Sequence, residues 1–131
     1  MRSLIVEDEF TARMQLKYFL EGYGKCDVAV NVNESIEAFK MAYSSEDPYD
    51  LICFDIKLPG EDGINGLKKI KDIEKEMKIS IDKKVKTFMT SAMEDFSSVK
   101  ESYYEDCDEY IRKPIDRKEL EGCLSKHGLI K

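Results

Sequence analysis

The sequence predicts an α/β fold, a doubly wound parallel sheet of five strands, on three observations. Short apolar runs alternate with amphipathic helical stretches from one end of the chain to the other. Two of the runs end in acids: Leu4-Ile5-Val6 in Glu7 and Asp8, and Leu51-Ile52-Cys53-Phe54 in Asp55. No repeat or linker breaks the alternation, so 1–131 is expected to be one domain, and 131 residues suffice for a single hydrophobic core.

Residues 2 to 7 read as a buried strand. From Phe10 the pattern turns helical, with Ala12, Leu16, Phe19 and Leu20 on one face and Gly22 and Gly24 ending it. Cys26 to Val30 make a short second strand. Asn33 is the expected N-cap of a second helix, whose Ile36, Phe39 and Tyr43 share a face and which Asp47 and Pro48 stop. Leu51 to Phe54 is the most apolar strand, as befits one buried on both faces at the centre of a parallel sheet. The turn-rich Leu58-Pro59-Gly60-Glu61-Asp62-Gly63 leads into a third helix carrying Ile64, Leu67, Ile70, Ile73 and Met77 at helical spacing. Lys71 to Lys86, rich in lysine and glutamate, reads as a solvated helix end and loop. Val85 to Met89 form a fourth strand ending at Thr90 and Ser91. A mostly polar helix around Phe96, Val99 and Tyr103 follows, then a strand at Glu109 to Arg112 cut off by Pro114. Asp116 and Glu119 make a capping box for a last helix bearing Leu120, Cys123 and Leu124.

Composition excludes several function classes. With 42% hydrophobic and 37% charged residues the chain reads as globular. Its apolar stretches are far shorter than the ~20 residues that cross a bilayer, and no basic start precedes an apolar signal core. Four cysteines without CxxC spacing and a single histidine, His127, argue against zinc and for reduced thiols in a cytoplasm. A net charge of −6 opposes direct contact with nucleic acid. Gly60, Gly63 and Gly66 read as turn and helix-start glycines, because no GK[ST] follows them. His127, with no acid beside it in the chain, reads as helix-end decoration.

Right-handed crossovers place all the strand ends on one edge, so Glu7, Asp8, Asp55, Thr90 and Lys113 converge there. Singly, Glu7 and Asp8 could be first-turn acids favoured by a helix dipole, and Thr90 and Lys113 an ordinary strand end and an exposed lysine. Asp55 is different: an acid after four apolar residues must be paired or coordinated. Three clustered carboxylates also repel one another unless a cation joins them.

Leu4-Ile5-Val6-Glu7-Asp8-Glu9, the run from Tyr49 to Pro59, Asp62-Gly63, Phe88-Met89-Thr90-Ser91-Ala92 and Tyr110-Ile111-Arg112-Lys113-Pro114 stand in a specific order and spacing. In this the chain resembles, over nearly its whole length, the receiver domains of two-component response regulators, including the stand-alone chemotaxis type. The resemblance implies a flavodoxin-like (βα)5 sheet of order 2-1-3-4-5 and a phospho-accepting regulator rather than an enzyme. It implies Asp55 as phospho-acceptor, taking its phosphoryl group from a histidine kinase or phosphotransfer protein. Mg²⁺, with Mn²⁺ as substitute, would be held by Asp8, Asp55 and the backbone carbonyl of Lys57, with Glu7 reaching it through water. Lys113 would pair with the phosphoryl group, and backbone at Ile56, Lys57 and Ser91 would contact it. Thr90 and Tyr110 would form the switch, and Lys113-Pro114 would be a cis peptide. A downstream protein would read the face of the fourth helix, fifth strand and last helix.

Three positions depart from the family pattern. Glu7 stands where aspartate is commoner. The span from Gly63 to Thr90 is longer than usual, so the third helix or the loop after it is expected to be extended. Lys57 and Ala92 occupy the positions two beyond Asp55 and Thr90, and Lys57 is expected to lean over the site and hinder water. A Mg²⁺-dependent phosphatase would want a second acid where Lys57 stands, and a degenerate receiver serving only as an interaction module would have lost its acids. No output domain follows Lys131, so the signal leaves by binding another protein, or the chain is the receiver of a longer regulator.

Overall fold

The computed structural model describes residues 1–92 and 107–131, and the helix expected around Phe96, Val99 and Tyr103 lies outside them. In chain order the elements are β1 (Ser3–Val6), α1 (Phe10–Glu21), β2 (Cys26–Ala29), α2 (Val32–Ser44), β3 (Leu51–Asp55), α3 (Gly63–Glu76), a 3-10 turn (Ile81–Lys83), β4 (Lys86–Ser91), β5 (Glu109–Arg112) and α4 (Arg117–Lys126). Every neighbouring pair of strands is parallel, and their order is β2-β1-β3-β4-β5, as the sequence led us to expect.

Strand periodicity explains why both faces of the sheet are covered. Successive side chains point to opposite faces, so Leu4 and Val6 join Phe39, Phe54, Ile70 and Met89 in one core. Ile5 joins Leu16, Leu20, Cys53, Phe88 and Leu124 in the other. All residues of β1 and β3 are buried, which is why their sequences are continuous apolar runs rather than alternating ones.

Several local expectations are corrected. Asn31, not Asn33, caps α2, accepting from the Glu34 N–H at 2.8 Å; Asn33 lies one residue inside the helix. β4 starts at Lys86 rather than Val85, and ends at Thr90 and Ser91 as expected, both paired with β3 or β5. The lysine-rich stretch is not solvated throughout. Glu74 within it is buried, and its carboxylate accepts from the Val85 N–H at 2.8 Å, satisfying the backbone just before β4. His127 is not decoration either: its Nε2 lies 2.9 Å from Glu109 Oε1 and its ring packs on Phe88. The acid it meets is distant in sequence and close in space. Asp116 does cap the last helix, accepting from Glu119 N–H at 3.0 Å.

Gly63 fixes the start of α3 against β3. A Cβ there would lie 2.1 Å from the carbonyl oxygen of Asp55, and the Gly63 N–H donates to the Ile56 carbonyl at 2.8 Å. Gly22, at the end of α1, has φ −66° and nothing near its missing Cβ. Gly63→Ala should therefore destabilise the protein by about 2–4 kcal/mol, since backbone must move. Gly22→Ala should be neutral or slightly stabilising. Urea unfolding of the two variants followed by circular dichroism checks the contrast; equal effects would remove the steric account.

Candidate functional site

Asp55 is the last residue of β3 and stands in register with Thr90 of β4. Its position follows from the run before it: four apolar residues carry the strand through the core and leave the carboxylate at the edge, only 6% exposed. Glu7, the first residue after β1, is buried to 3% exposure. Asp8 is exposed. One carboxylate oxygen from each of the three lies within 4.8 Å of the others.

Lys113 binds this cluster together. Its ammonium donates directly to Glu7 Oε1 and lies 3.3 Å from Asp55 Oδ1. The Lys113 N–H donates to the Ser91 carbonyl at 2.7 Å, and the Lys113–Pro114 peptide is cis. Burial first, and then repulsion from Glu7, push the Asp55 carboxyl up to about 7, against the opposing pull of Lys113. Burial alone would lower the Lys113 ammonium, but its hydrogen bond to Glu7 and the field of Asp55 raise it. A set of hard oxygen donors carrying excess negative charge fits a small divalent cation, and Glu7, Asp8 and Asp55 could hold one.

The other expected residues fall into place unevenly. The buried Thr90 hydroxyl donates to the Phe54 carbonyl at 3.4 Å, toward the β3 backbone. Tyr110 is buried in the α2/α3-side core, beside Met89 in the sheet register. The Lys57 side chain is exposed beyond the end of β3. The Ile56 N–H donates to the Thr90 carbonyl at 3.0 Å, extending the sheet ladder by one step.

Sequence reasoning missed what holds the acidic loop. Neither Glu7 nor Asp8 caps α1. Glu9 does, accepting from the N–H groups of Thr11 and Ala12 at 3.2 and 2.6 Å. One turn into the helix, Arg13 Nη1 reaches back to the carbonyls of Glu7 and Asp8 at 3.0 and 3.2 Å. Phe10, Met14 and Tyr18 were also missed. They are exposed at 66%, 42% and 66% and form a second apolar stripe on α1, four residues apart, opposite the core-facing one. Beside that helix a cavity of about 400 Å³, lined among others by Ala12, Leu16, Cys53, Thr90 and Ile115, opens onto Lys113.

A parallel five-stranded sheet gathers three acids, a hydroxyl and an ammonium at its carboxyl edge. Residues 3–125 match the response regulator receiver domain family, and the chain belongs to it. It is thus a receiver domain of two-component signalling. It is 32% identical over 121 residues to the chemotaxis protein CheY of Treponema pallidum, covering 91% of this chain and 76% of that protein. It is 32% identical over 129 residues to the sensory transduction protein LytR of Staphylococcus haemolyticus, covering 96% of this chain but 44% of that one. The chain therefore spans less than half the length of the LytR relatives. Among solved structures it is similar to the co-crystal of the Saccharomyces cerevisiae histidine phosphotransfer signaling protein Ypd1 with the receiver domain of its downstream response regulator Ssk1. There the TM-score is 0.79 at 26% identity over 98% of this chain and 89% of the matched one. A CheY-like receiver domain from Methylobacillus flagellatus gives 0.74 at 26% identity, over 97% and 98%.

The raised Asp55 carboxyl carries a stability consequence for the metal-free protein. Its folded-state value, about 7, lies above the ordinary 3.8, so the folded chain binds this proton more tightly than the unfolded one. Stability from that proton is present below pH 3.8 and is lost as pH rises through 7. Asp55→Asn should therefore stabilise the metal-free protein at pH 8 by on the order of 1–3 kcal/mol, with the gain shrinking toward zero as pH falls to about 4. Thermal melts in EDTA across that range are the check, and a gain independent of pH would contradict it.

Proposed function

We propose that Asp55 accepts a phosphoryl group from a phosphohistidine on a histidine kinase or phosphotransfer protein. The supporting observation is a nearly buried carboxylate, at the carboxyl end of the central β3, flanked by two further acids and by the Lys113 ammonium at 3.3 Å. A carboxylate oxygen of Asp55 attacks phosphorus, the P–N bond to the donor imidazole breaks, and the imidazole leaves with the electron pair. Such transfer depends on positioning and on neutralising charge over the phosphoryl oxygens. Asp8, Asp55 and the Lys57 carbonyl would hold Mg²⁺, or Mn²⁺ in its place, with Glu7 reaching it through water. Bound there, the ion supplies positive charge against the carboxylates and the incoming oxygens. Lys113 supplies a second positive charge beside Asp55, and backbone N–H groups at Lys57 and Ser91 would complete the cradle.

Phosphorylation then changes what Thr90 can bond. Its hydroxyl now donates to the Phe54 carbonyl, and new phosphoryl oxygens on Asp55 offer a stronger, charge-assisted acceptor on the neighbouring strand. Movement of Thr90 frees space beside the buried Tyr110, which carries the change to the surface around β5 and α4 for a downstream protein to read. The Ssk1 receiver, a structural relative, is crystallised with a phosphotransfer protein. The Phe10–Met14–Tyr18 stripe on α1, beside the acidic edge, is the surface on which a donor's helices would pack here.

Acetyl phosphate with Mg²⁺ should add one phosphoryl group, read by intact mass, and EDTA or Asp55→Asn should abolish the addition. Failure to label the parent, or equal labelling of Asp55→Asn, would overturn the proposal. Met14→Glu should leave acetyl phosphate labelling intact while slowing transfer from a phosphohistidine protein about tenfold, through loss of one buried apolar contact. Rates followed by phosphate-affinity gels separate the two steps.

A further inference from the structure

The long α3–β4 segment, which contributes nothing to the acidic edge, builds a second cleft at the opposite end of the strands. The cleft holds about 640 Å³ and is walled by Lys78, the 3-10 turn residues Asp82 and Lys83, and Lys84 and Lys86 where β4 begins. Asp50, just before β3, and His127 at the end of α4 close its other sides. Four lysines and two aspartates thus line the cleft, in a chain whose net charge is −6.

Three of the four lysine charges are not paired among the described residues. Lys78, Lys83 and Lys86 make no ion pair among the described residues, whereas Lys69, Lys113 and Lys126 all do. Lys84 faces the buried Glu74. Of the two acids, Asp50 already accepts the Arg2 N–H at 2.8 Å, and Asp82 is exposed on the turn. Like charges gathered around a concavity repel one another and focus a positive potential into it, which a bound anion would relieve. The volume lies in the range of small-ligand sites, about 300–1,000 Å³, so the shape favours a compact molecule over a protein surface.

We infer that this lysine-walled cleft binds a small polyanion, a di- or triphosphate group either free or carried on a nucleoside. The site is separate from Asp55 and does not depend on its phosphorylation.

Titration calorimetry of the metal-free protein with tripolyphosphate and, separately, with ATP tests it. One molecule of probe should bind per chain, and raising NaCl from about 50 to about 300 mM should weaken the binding several-fold by screening. The double variant Lys83→Gln, Lys86→Gln removes two charges that make no ion pair among the described residues and should weaken binding at least about tenfold. Tighter binding of ATP identifies a nucleoside ligand, and equal binding identifies the phosphate chain alone. No binding at about 10 mM probe, unchanged affinity in the double variant, or loss of binding on Lys113→Ala would overturn the inference; the last would place the anion at the acidic edge instead.

Discussion

One ammonium holds this site together. Lys113 sits between Glu7 and Asp55, two carboxylates that the fold removes almost wholly from water. Without a positive charge between them, that arrangement would cost far more than any contact at the edge returns. Lys113 does not cancel the burden entirely, because the Asp55 carboxyl remains raised. The site keeps unrelieved negative charge, the setting in which these acids could hold a divalent cation. Stability is surrendered where chemistry requires it.

The sheet order makes the meeting possible. Glu7 and Asp8 follow β1, Asp55 ends β3, Thr90 is in β4 and Lys113 follows β5, so four strands must lie parallel and in register for these groups to touch. Backbone contacts then set each group. The Lys113 N–H is tied to Ser91 and Ile56 N–H to Thr90, while Gly63 presses on the Asp55 carbonyl. Arg13 and Glu9 hold the loop that presents Glu7 and Asp8. A side chain placed by its own strand and by a neighbour's backbone has little freedom left, which is preorganisation.

Much of this was legible in the residues. Continuous apolar runs identify β1 and β3 as central because nothing polar can be tolerated on either face, and acids ending such runs are conspicuous for the same reason. Two of the failures turned on partners distant in sequence. His127 looked idle because Glu109 lies 18 residues away. Glu74 looked solvated within a run of charges, yet an unpaired backbone N–H at Val85 drew it inward. The α1 stripe was a different kind of miss: Phe10, Met14 and Tyr18 have plain helical spacing, but attention to the buried face hid the exposed one.

The two ends of the sheet are chemically opposed. Acids crowd the carboxyl ends of the strands, while lysines gather where β4 begins and Arg2 clasps Asp27 and Tyr49 below β1. β3 and β4 run the full distance between them, with Asp50 and Lys86 near their starts and Asp55 and Thr90 near their ends. Such continuity does not by itself couple the ends, because a packed strand is not in itself a two-state element. An anion that met Lys83 and Lys86 identically before and after phosphorylation of Asp55 would stabilise the fold by mass action and leave the switch where it was. Communication would need the anion to touch something that moves with Tyr110. The candidate on the cleft's own wall is His127, since its partner Glu109 immediately precedes Tyr110 in β5.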